Sequence, residues 1–264
     1  LRANNLRVMR YEPNAEGPNV IGGYLGNSVR TGEYAMTIAG GGASGKVNQV
    51  RRTGGTVGGG VGNTAGTPDI PDESYGYDTV AGGTDNTAMG GFAAVLGGNY
   101  NSATGAQSSV LGGGGNVASG QGSLVAGGNG NIASGLVATV AGGWQNRAAG
   151  MLSFSAGAQA EALHDGAWVW ADNTYPAFQS TAANQFLVRA GGGVGINTNA
   201  PGYTLDVAGP IRARSIGFVF PDGTVQNTAA ATGFAGWSLT GNAGTIPGTQ
   251  FLGTTDSQAL EVKV

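Results

Sequence analysis

Residues that could perform chemistry are concentrated between residues 161 and 178. Glu161, Asp165 and Asp172 supply carboxylates there. Four aromatic residues lie in the same stretch: Trp168, Trp170, Tyr175 and Phe178. Paired carboxylates are the groups with which glycan-cleaving enzymes protonate the leaving group and attack the sugar or activate water. A second interpretation, which we favour, is that the aromatic residues form a cap, because repeat arrays must close their ends.

Other chemical signals in the sequence are weak. His164 is the only histidine and cysteine is absent, so a typical zinc site cannot be built, and no Ser-His-Asp spacing is evident. The glycine-rich residues 191–202 lack the Gly-Lys-Ser/Thr ending of a phosphate loop and indicate a turn between strands. Calcium-binding β-rolls need a recurring Asp, and only Asp85 fits. We therefore expect no metal, no cofactor and no enzymatic activity.

Composition excludes several classes of protein. The 264 residues include 53 glycines, only 10% are charged, and the net charge is −3. A nucleic-acid-binding protein needs a basic surface, so we expect no nucleic-acid partner. No run of about 18 apolar residues is present, so the sequence predicts no transmembrane span.

A fifteen-residue phrase organises the chain. Five copies stand in strict register, beginning at Thr79, Ala94, Ser109, Leu124 and Thr139. Within each copy, template position 2 is Val, positions 4 and 5 are Gly-Gly, position 8 is Asn, position 10 is Ala and position 12 is Gly. The Asn residues are Asn86, Asn101, Asn116, Asn131 and Asn146.

This period predicts an all-β fold in which each copy forms one coil of a parallel β-roll or β-helix. Gly-Gly supplies one turn because glycine accepts a positive φ, and Asn suits a second bend because it tolerates the left-handed conformation. Identical residues then stack about 4.8 Å apart, and stacked Asn side chains can form a hydrogen-bonded ladder. We expect about eight coils between residues 19 and 168.

The pattern also predicts the oligomeric state. Positions 2 and 3 point to opposite faces of a strand, yet both are apolar. One face fills the roll, and the other needs a neighbour, which favours several copies packed along a common axis. The residues expected in the roll or trimer core are Val80, Val95, Leu96, Val110, Leu111, Val125 and Val140.

Two insertions interrupt the earlier copies and are candidate receptor-contact loops, because function concentrates on loops held by rigid scaffolds. One carries Lys46, Arg51 and Arg52, and the other carries Asp72, Tyr75 and Tyr77. Both are expected to leave neighbouring coils at similar template positions. Their opposite charges favour docking of one loop on the other over ligand binding.

Several segments resemble a known class of fibre. "GGNYNSATG", "GGGGNVASG" and "GGNGNIASG" resemble the adhesin-head (YadA-like) repeats of trimeric autotransporter adhesins. Residues 164–213 and 217–230 resemble modules of bacterial surface fibres and phage tail fibres. The resemblance implies a homotrimeric extracellular fibre, on a cell surface or a virion, with small β modules after the roll.

The resulting domain division has four parts. Residues 1–18 form an entering strand module, 19–167 the repeat roll, 168–215 an aromatic cap and neck, and 216–264 a C-terminal β module. Alternating strands at 6–11 and 260–264 predict a shared module that completes itself in flanking sequence or joins trimers end to end. The predicted function is structural and adhesive. The alternatives are a polysaccharide-degrading tail-spike-like enzyme and a spacer without ligand.

Overall fold

The computed structural model describes residues 2–3, 6–67, 76–214 and 217–226, and within these ranges every regular element is a β-strand. No helix long and apolar enough to cross a membrane occurs in this part of the chain. The chain divides into two compact units. One comprises Leu1–Val194 with Ala200–Asp206, and the other comprises Gly195–Asn199 with Val207–Val264.

The first unit contains two long sheets that face each other. Sheet 1 has twelve strands. In chain order they are Met9–Glu12, Asn19–Gly22, Thr37–Ile38, Thr56–Val57, Thr79–Val80, Ala94–Val95, Ser109–Val110, Leu124–Val125, Thr139–Trp144, Phe154–Ala158, Trp168–Ala171 and Phe186–Arg189. The first two pair antiparallel, and each later strand pairs parallel with the one a coil before it.

Sheet 2 has ten strands, all parallel to their neighbours. In chain order they are Ser28–Val29, Gln49–Val50, Thr64–Ala65, Thr87–Ala88, Ser102–Ala103, Val117–Ala118, Ile132–Ala133, Arg147–Ala148, Ala160–Ala162 and Phe178–Gln179. Each coil thus contributes one strand to each sheet.

Two turns connect the sheets in every coil. We call the turn at template positions 4–7 the GG turn and the turn at positions 12–14 the return turn. Register is kept from coil to coil, so that Val95 pairs with Val80 and with Val110. The prediction of an all-β parallel solenoid with coils of about fifteen residues is therefore confirmed.

The interior is built from small side chains because the two sheets lie close together. Position 2 of sheet 1 contributes the fully buried Val80, Val95, Val110, Val125 and Val140. Position 10 of sheet 2 contributes the fully buried Ala88, Ala103, Ala118, Ala133 and Ala148. Burying a valine side chain stabilises the fold by roughly 1.5–3 kcal/mol, so repetition along the solenoid supplies the hydrophobic driving force.

The solenoid is longer than the repeat predicts. Parallel pairing continues through Trp168–Ala171 and Phe186–Arg189, two strands beyond residue 167. A register shift lies between Val140 and Gly143, after which Gly143 pairs with Gly157 fourteen residues later. The segment that begins at Phe154 is therefore a shorter coil of the same solenoid.

Short strands lie outside the two sheets. Arg2–Ala3 pairs antiparallel with Leu6–Arg7, and Phe218–Val219 pairs antiparallel with Val225–Gln226. Two further strands are Val194–Ile196 and Leu205–Val207. The segment expected to contain strand 260–264 lies outside the described residues, so the predicted terminal module stays a prediction.

Candidate functional site: the interior ladder and the outer faces of the solenoid

A column of buried Asn residues joins successive coils. The Oδ1 atom of Asn116 accepts a hydrogen bond from the backbone N–H of Asn131 at 3.0 Å. Its Nδ2 group donates to the carbonyl of Gly112 in the same coil and of Gly128 in the next, both at 2.9 Å. Each such amide satisfies three backbone groups, which would cost about 1–3 kcal/mol each if they were buried without a partner.

The ladder is made mainly of side-chain-to-backbone bonds rather than bonds between side chains. The positive φ expected at Asn occurs one residue earlier, at position 7, where Asp85 has φ 54° and Tyr100 has φ 56°. The prediction of left-handed Asn is therefore wrong. The bend at position 7 interrupts strand pairing. The Oδ1 atom of the Asn at position 8 then accepts the backbone N–H of the Asn in the next coil. Glycine at position 5 does adopt the expected positive φ, for example 86° at Gly113.

Three ladder residues were not identified from the sequence: Asn27, Asn48 and Asn63. The N–H of Asn48 donates to Oδ1 of Asn27, and the N–H of Asn63 donates to Oδ1 of Asn48, both at 3.0 Å. The sequence did carry a signal, since Asn48 and Asn63 are fifteen residues apart. The first insertion is thus confined to residues 43–46, and the strand Gln49–Val50 belongs to a regular coil.

The two insertions leave opposite edges of the solenoid, so the prediction that they leave at similar template positions is wrong. Residues 43–46 extend a GG turn, with a bridge between Ala43 and Lys46. The second insertion extends a return turn, between Thr67 and Gly76. Its residues 68–75, including Asp72 and Tyr75, lie outside the described residues.

The basic residues of the predicted loops have separate environments. The Lys46 ammonium pairs with the Asp85 carboxylate and lies 5.8 Å from the centroid of the Tyr100 ring. Arg51 donates to the Gln49 side chain. Arg52 is buried at position 12, and its charge favours ionisation of the nearby Asp78.

Asp78 is a carboxylate in the solenoid interior, at a position occupied by Ala or Ser in later coils. One of its oxygens accepts from the N–H groups of Gly91 and Ala93, each at 2.9 Å. The other oxygen has no hydrogen-bond partner among the described residues. Burial raises the pKa of Asp78 to about 6, against the opposing effects of these two hydrogen bonds and of Arg52.

The outer face of sheet 1 carries exposed apolar side chains. Leu96 and Leu111, at position 3, are 53% and 45% exposed in the single chain. At position 1 an aromatic stack runs along the sheet, with ring centroids 5.1 Å apart for Phe154 and Trp168 and 4.4 Å apart for Trp168 and Phe186. Phe186, at the end of the stack, is 70% exposed.

The aromatic–carboxylate cluster is spread over several elements. Asp172 bonds to Arg189 at 3.2 Å and to the N–H of Gly191 at 2.6 Å, and it also accepts from Thr174. The hydrogen bonds from Thr174 and Gly191 hold the pKa of Asp172 well below its usual range. A general acid needs a raised pKa, so this environment does not favour that role.

The remaining members of the cluster are also held in place. Asp165 accepts from the N–H of Met151 at 2.7 Å, and His164 Nδ1 lies 2.9 Å from Ser180 Oγ. Trp168 and Trp170 lie in a strand of sheet 1, and Phe178 begins a strand of sheet 2. Tyr175 contacts Trp144 edge-to-face at 6.1 Å. Over the described ranges no group of three His, Asp or Glu side chains is arranged to hold a metal ion.

Comparison with known proteins does not assign this chain to a family. No protein-family profile matches this chain, and no curated protein shows significant similarity to it. Function is therefore inferred from the geometry of the chain itself.

Proposed function

We propose that this chain is a structural and adhesive subunit of a homotrimeric extracellular fibre, on a cell surface or a virion. The observation that supports the trimer is the apolar outer face of sheet 1. Its exposed leucines and its aromatic stack resemble the half-buried surface of a larger core. A strand that is apolar on both faces requires a cover on both faces.

A second copy of the same chain is the cover that fits best. Parallel copies in register would place Leu96 beside Leu96 and Leu111 beside Leu111, so the apolar face would be covered along its length. Exposed apolar residues grouped on one face mark interaction surfaces in soluble proteins. The placement on an extracellular fibre is supported by the resemblance of the repeats to adhesin heads.

The adhesive role distinguishes this proposal from a pure spacer. The outer positions of the coils vary while positions 2, 5, 8 and 10 are kept, so the scaffold is separate from the surface that it presents. The alternative of a polysaccharide-degrading enzyme depends on the cluster around Asp172. The hydrogen bonds that Asp172 accepts from Thr174 and Gly191 lower its pKa and disfavour acid catalysis.

The mass of the intact chain in sedimentation equilibrium tests the trimer. We expect three times the 26.0 kDa chain mass. The double variant Leu96→Asp/Leu111→Asp should lose the trimer because six carboxylates would meet at the interface. The matched control, Ser119→Asp/Ser134→Asp, places the same charges on the exposed face of sheet 2 and should remain trimeric.

A monomeric wild-type chain with an intact strand spectrum by circular dichroism would contradict the proposal. Equal effects of the two double variants would show that sheet 1 is not the interface. Localisation is a separate question, and immunogold electron microscopy of source cells or virions answers it. Label confined to the cell interior would contradict the extracellular placement.

End-to-end assembly is part of the same proposal. Deletion of residues 256–264 should abolish long filaments in negative-stain electron microscopy while leaving the coils folded. Filaments that persist after this deletion would place the joint elsewhere.

A further inference from the structure

The return turns carry exposed apolar side chains at two levels of the solenoid. At the first level Tyr77 and Phe92, from successive coils, are exposed and stack with ring centroids 5.4 Å apart. At the second level two later turns contribute four aliphatic side chains whose exposed fractions run from 44% to 63%: Leu136, Val137, Met151 and Leu152. The two turns between these levels contain no large apolar residue. Their residues at positions 13 and 14 are Ala106, Gln107, Gln121 and Gly122.

Position 3 on the outer face of sheet 1 shows the reverse order. Its two large residues, Leu96 and Leu111, lie in the two coils whose return turns lack large apolar side chains. In the coils with aromatic or aliphatic return turns, position 3 is small and exposed, and its residues are Gly58, Ala81, Ala126 and Ala141. From residue 56 to residue 153, each coil thus has a large apolar side chain at one of these two places and not at the other.

The two places do not touch within one chain. Position 3 precedes the GG turn at one edge of sheet 1, whereas the return turn enters sheet 1 at the other edge. Between Val137 and Ala141, for example, residues 138–140 occupy roughly 10 Å of strand. A contact within the chain therefore does not account for the match in size.

A ring of three chains does account for it. A closed ring of three joins each chain to its two neighbours through two different surfaces. When the chains are parallel and in register, residues of the same coil meet, because a rotation about the fibre axis moves nothing along that axis. A return turn packed on position 3 of the next chain would then be large where position 3 is small and small where position 3 is leucine. Packed cores fill their volume by this alternation of large and small residues.

We infer that the return turns between Gly76 and Leu152 form the second half of the trimer interface, and that each packs on position 3 of sheet 1 in a neighbouring copy of this chain. This inference rests on the proposed homotrimer and assigns it a contact geometry. A foreign partner would have to fit only one of the two surfaces, whereas here the two surfaces fit each other. Leu96 and Leu111 fill the space that the small turns leave and still face the trimer axis.

A cycle of substitutions tests the contact by sedimentation equilibrium. Ala126→Leu adds a large side chain at a level where the return turn is already large. We expect this trimer to dissociate at concentrations about ten-fold or more above those of the wild type. Leu136→Ala/Val137→Ala should also weaken the trimer, because it removes apolar contacts. The combination of all three substitutions should recover most of the loss caused by Ala126→Leu, because the emptied turn receives the new leucine.

Non-additive effects of this kind arise between residues in contact, and these residues are in contact only between chains. Ser134→Leu is the matched control, because Ser134 is exposed in the same coil but lies on the sheet 2 side. It should leave the dissociation of the trimer as in the wild type, with or without the two turn substitutions. All of the substituted residues are exposed, so the strand spectrum by circular dichroism should be kept.

Thiols provide a second measurement that does not depend on the strength of association. On oxidation, Ala126→Cys/Val137→Cys should form covalent trimers, because each chain bonds to both neighbours. Ala126→Cys/Ser134→Cys should form covalent dimers at most. In a wild-type chain that sediments as a trimer, additive effects in the cycle or absence of the covalent trimer would overturn this inference and leave the fibre proposal intact. A monomeric wild-type chain would overturn both.

Discussion

The coils of residues 79–153 and those of residues 154–189 stack in the same way but are held together differently. In the first region most strands are two residues long and a buried Asn joins each coil to the next. The column ends when Oδ1 of Asn146 accepts the N–H of Ala160 at 2.9 Å. Beyond this point the sheet 1 strands lengthen to four or five residues.

The difference shows that a solenoid can exchange one stacking device for another without changing direction. Where the Asn column supplies hydrogen bonds to the backbone groups of the GG turn, the strands stay short and the outward-facing residues are free to vary. Where the column is absent, longer strands supply the hydrogen bonds and stacked aromatics cover sheet 1. The predictions that follow probe this division of roles.

The largest effect is expected at the return turns of the first region, where successive coils stack closely. A Cβ at Gly120 would lie 2.0 Å from the carbonyl oxygen of Gly135. Gly120→Ala must therefore push two coils apart, and we expect a loss of roughly 3 kcal/mol or more in the free energy of unfolding. In the second region the equivalent residue is His164, so the constraint does not extend there.

Gly97→Ala is the control for this substitution, because a Cβ at Gly97 meets nothing within 4 Å. Chemical denaturation should show a small change for Gly97→Ala and a large one for Gly120→Ala. Equal losses would mean that the coils are less closely stacked than the carbonyl distance indicates.

The two regions should respond to pH in opposite directions, because Asp78 accepts hydrogen bonds from Gly91 and Ala93 in the first region and Asp172 lies in the second. The folded-state pKa of Asp78 is raised to about 6 from an ordinary value of 3.8. The folded chain thus binds this proton more tightly than the unfolded chain does. The stabilisation that results from protonated Asp78 is fully present below about pH 4 and is lost as the pH rises through 6. The loss is at most about 3 kcal/mol. Asp78→Asn should flatten the pH dependence of the unfolding free energy between pH 4 and 6.

Asp172 should contribute to stability with the opposite pH dependence. Its pKa is lowered by hydrogen bonds, first from Thr174 and then from Gly191. Its stabilising contribution is present above its ordinary pKa and is lost as the solution is acidified below that value. Hydrogen-exchange protection factors of residues 168–189, which correct for the intrinsic pH dependence of amide exchange, should therefore fall in acid and be insensitive to the Asp78→Asn change. Parallel acid responses of the two regions would contradict this assignment.

Removal of one ladder residue should have a moderate effect. Asn116→Ala deletes the four hydrogen bonds of this side chain and leaves the N–H of Asn131 without its acceptor. We expect a loss of about 1–3 kcal/mol per chain in the free energy of unfolding. Asn129→Ala, which removes an exposed amide in the same region, should change stability by a few tenths of a kcal/mol or less. A melting temperature unaffected by Asn116→Ala would rule out a stabilising ladder.

The smallest effect is expected at position 15. The hydroxyls of Ser108 and Ser123 are buried without a hydrogen-bond partner among the described residues. Ala93 and Ala138 occupy the same position in other coils. Ser108→Ala should therefore stabilise the fold by about 1 kcal/mol or leave it unchanged. A clear destabilisation would show that the hydroxyl has a partner, such as a buried water.

The repeat alone was sufficient to predict the two sheets, the buried valines and the Asn column, because each depends on a residue type that recurs every fifteen positions. The bonds made by Asn could not be predicted, since the spacing does not say which backbone groups lie within reach. Arg51 and Arg52 were assigned to an insertion because the four residues 43–46 shifted the apparent register of the repeat.

The later coils were also hidden from the sequence. At Trp168 and Phe186 the Gly-Gly and Asn positions are absent, so no repeat is visible there, and only backbone pairing identifies the coils. The exposure of Leu96 in one chain could be anticipated from strand alternation. The positive φ at position 7, as at Tyr100, could be found only from the backbone angles of the structure.

The most direct test of the fibre proposal uses the absence of cysteine from the chain. Leu111→Cys places a single thiol on the outer face of sheet 1, and Ser119→Cys places one on the outer face of sheet 2. A short bismaleimide should join two chains efficiently in the Leu111→Cys trimer, because equivalent residues meet at the interface, and should leave Ser119→Cys uncross-linked in denaturing gel electrophoresis. Dimer bands that are absent from Leu111→Cys, or equally strong in both variants, would contradict a trimer built on sheet 1.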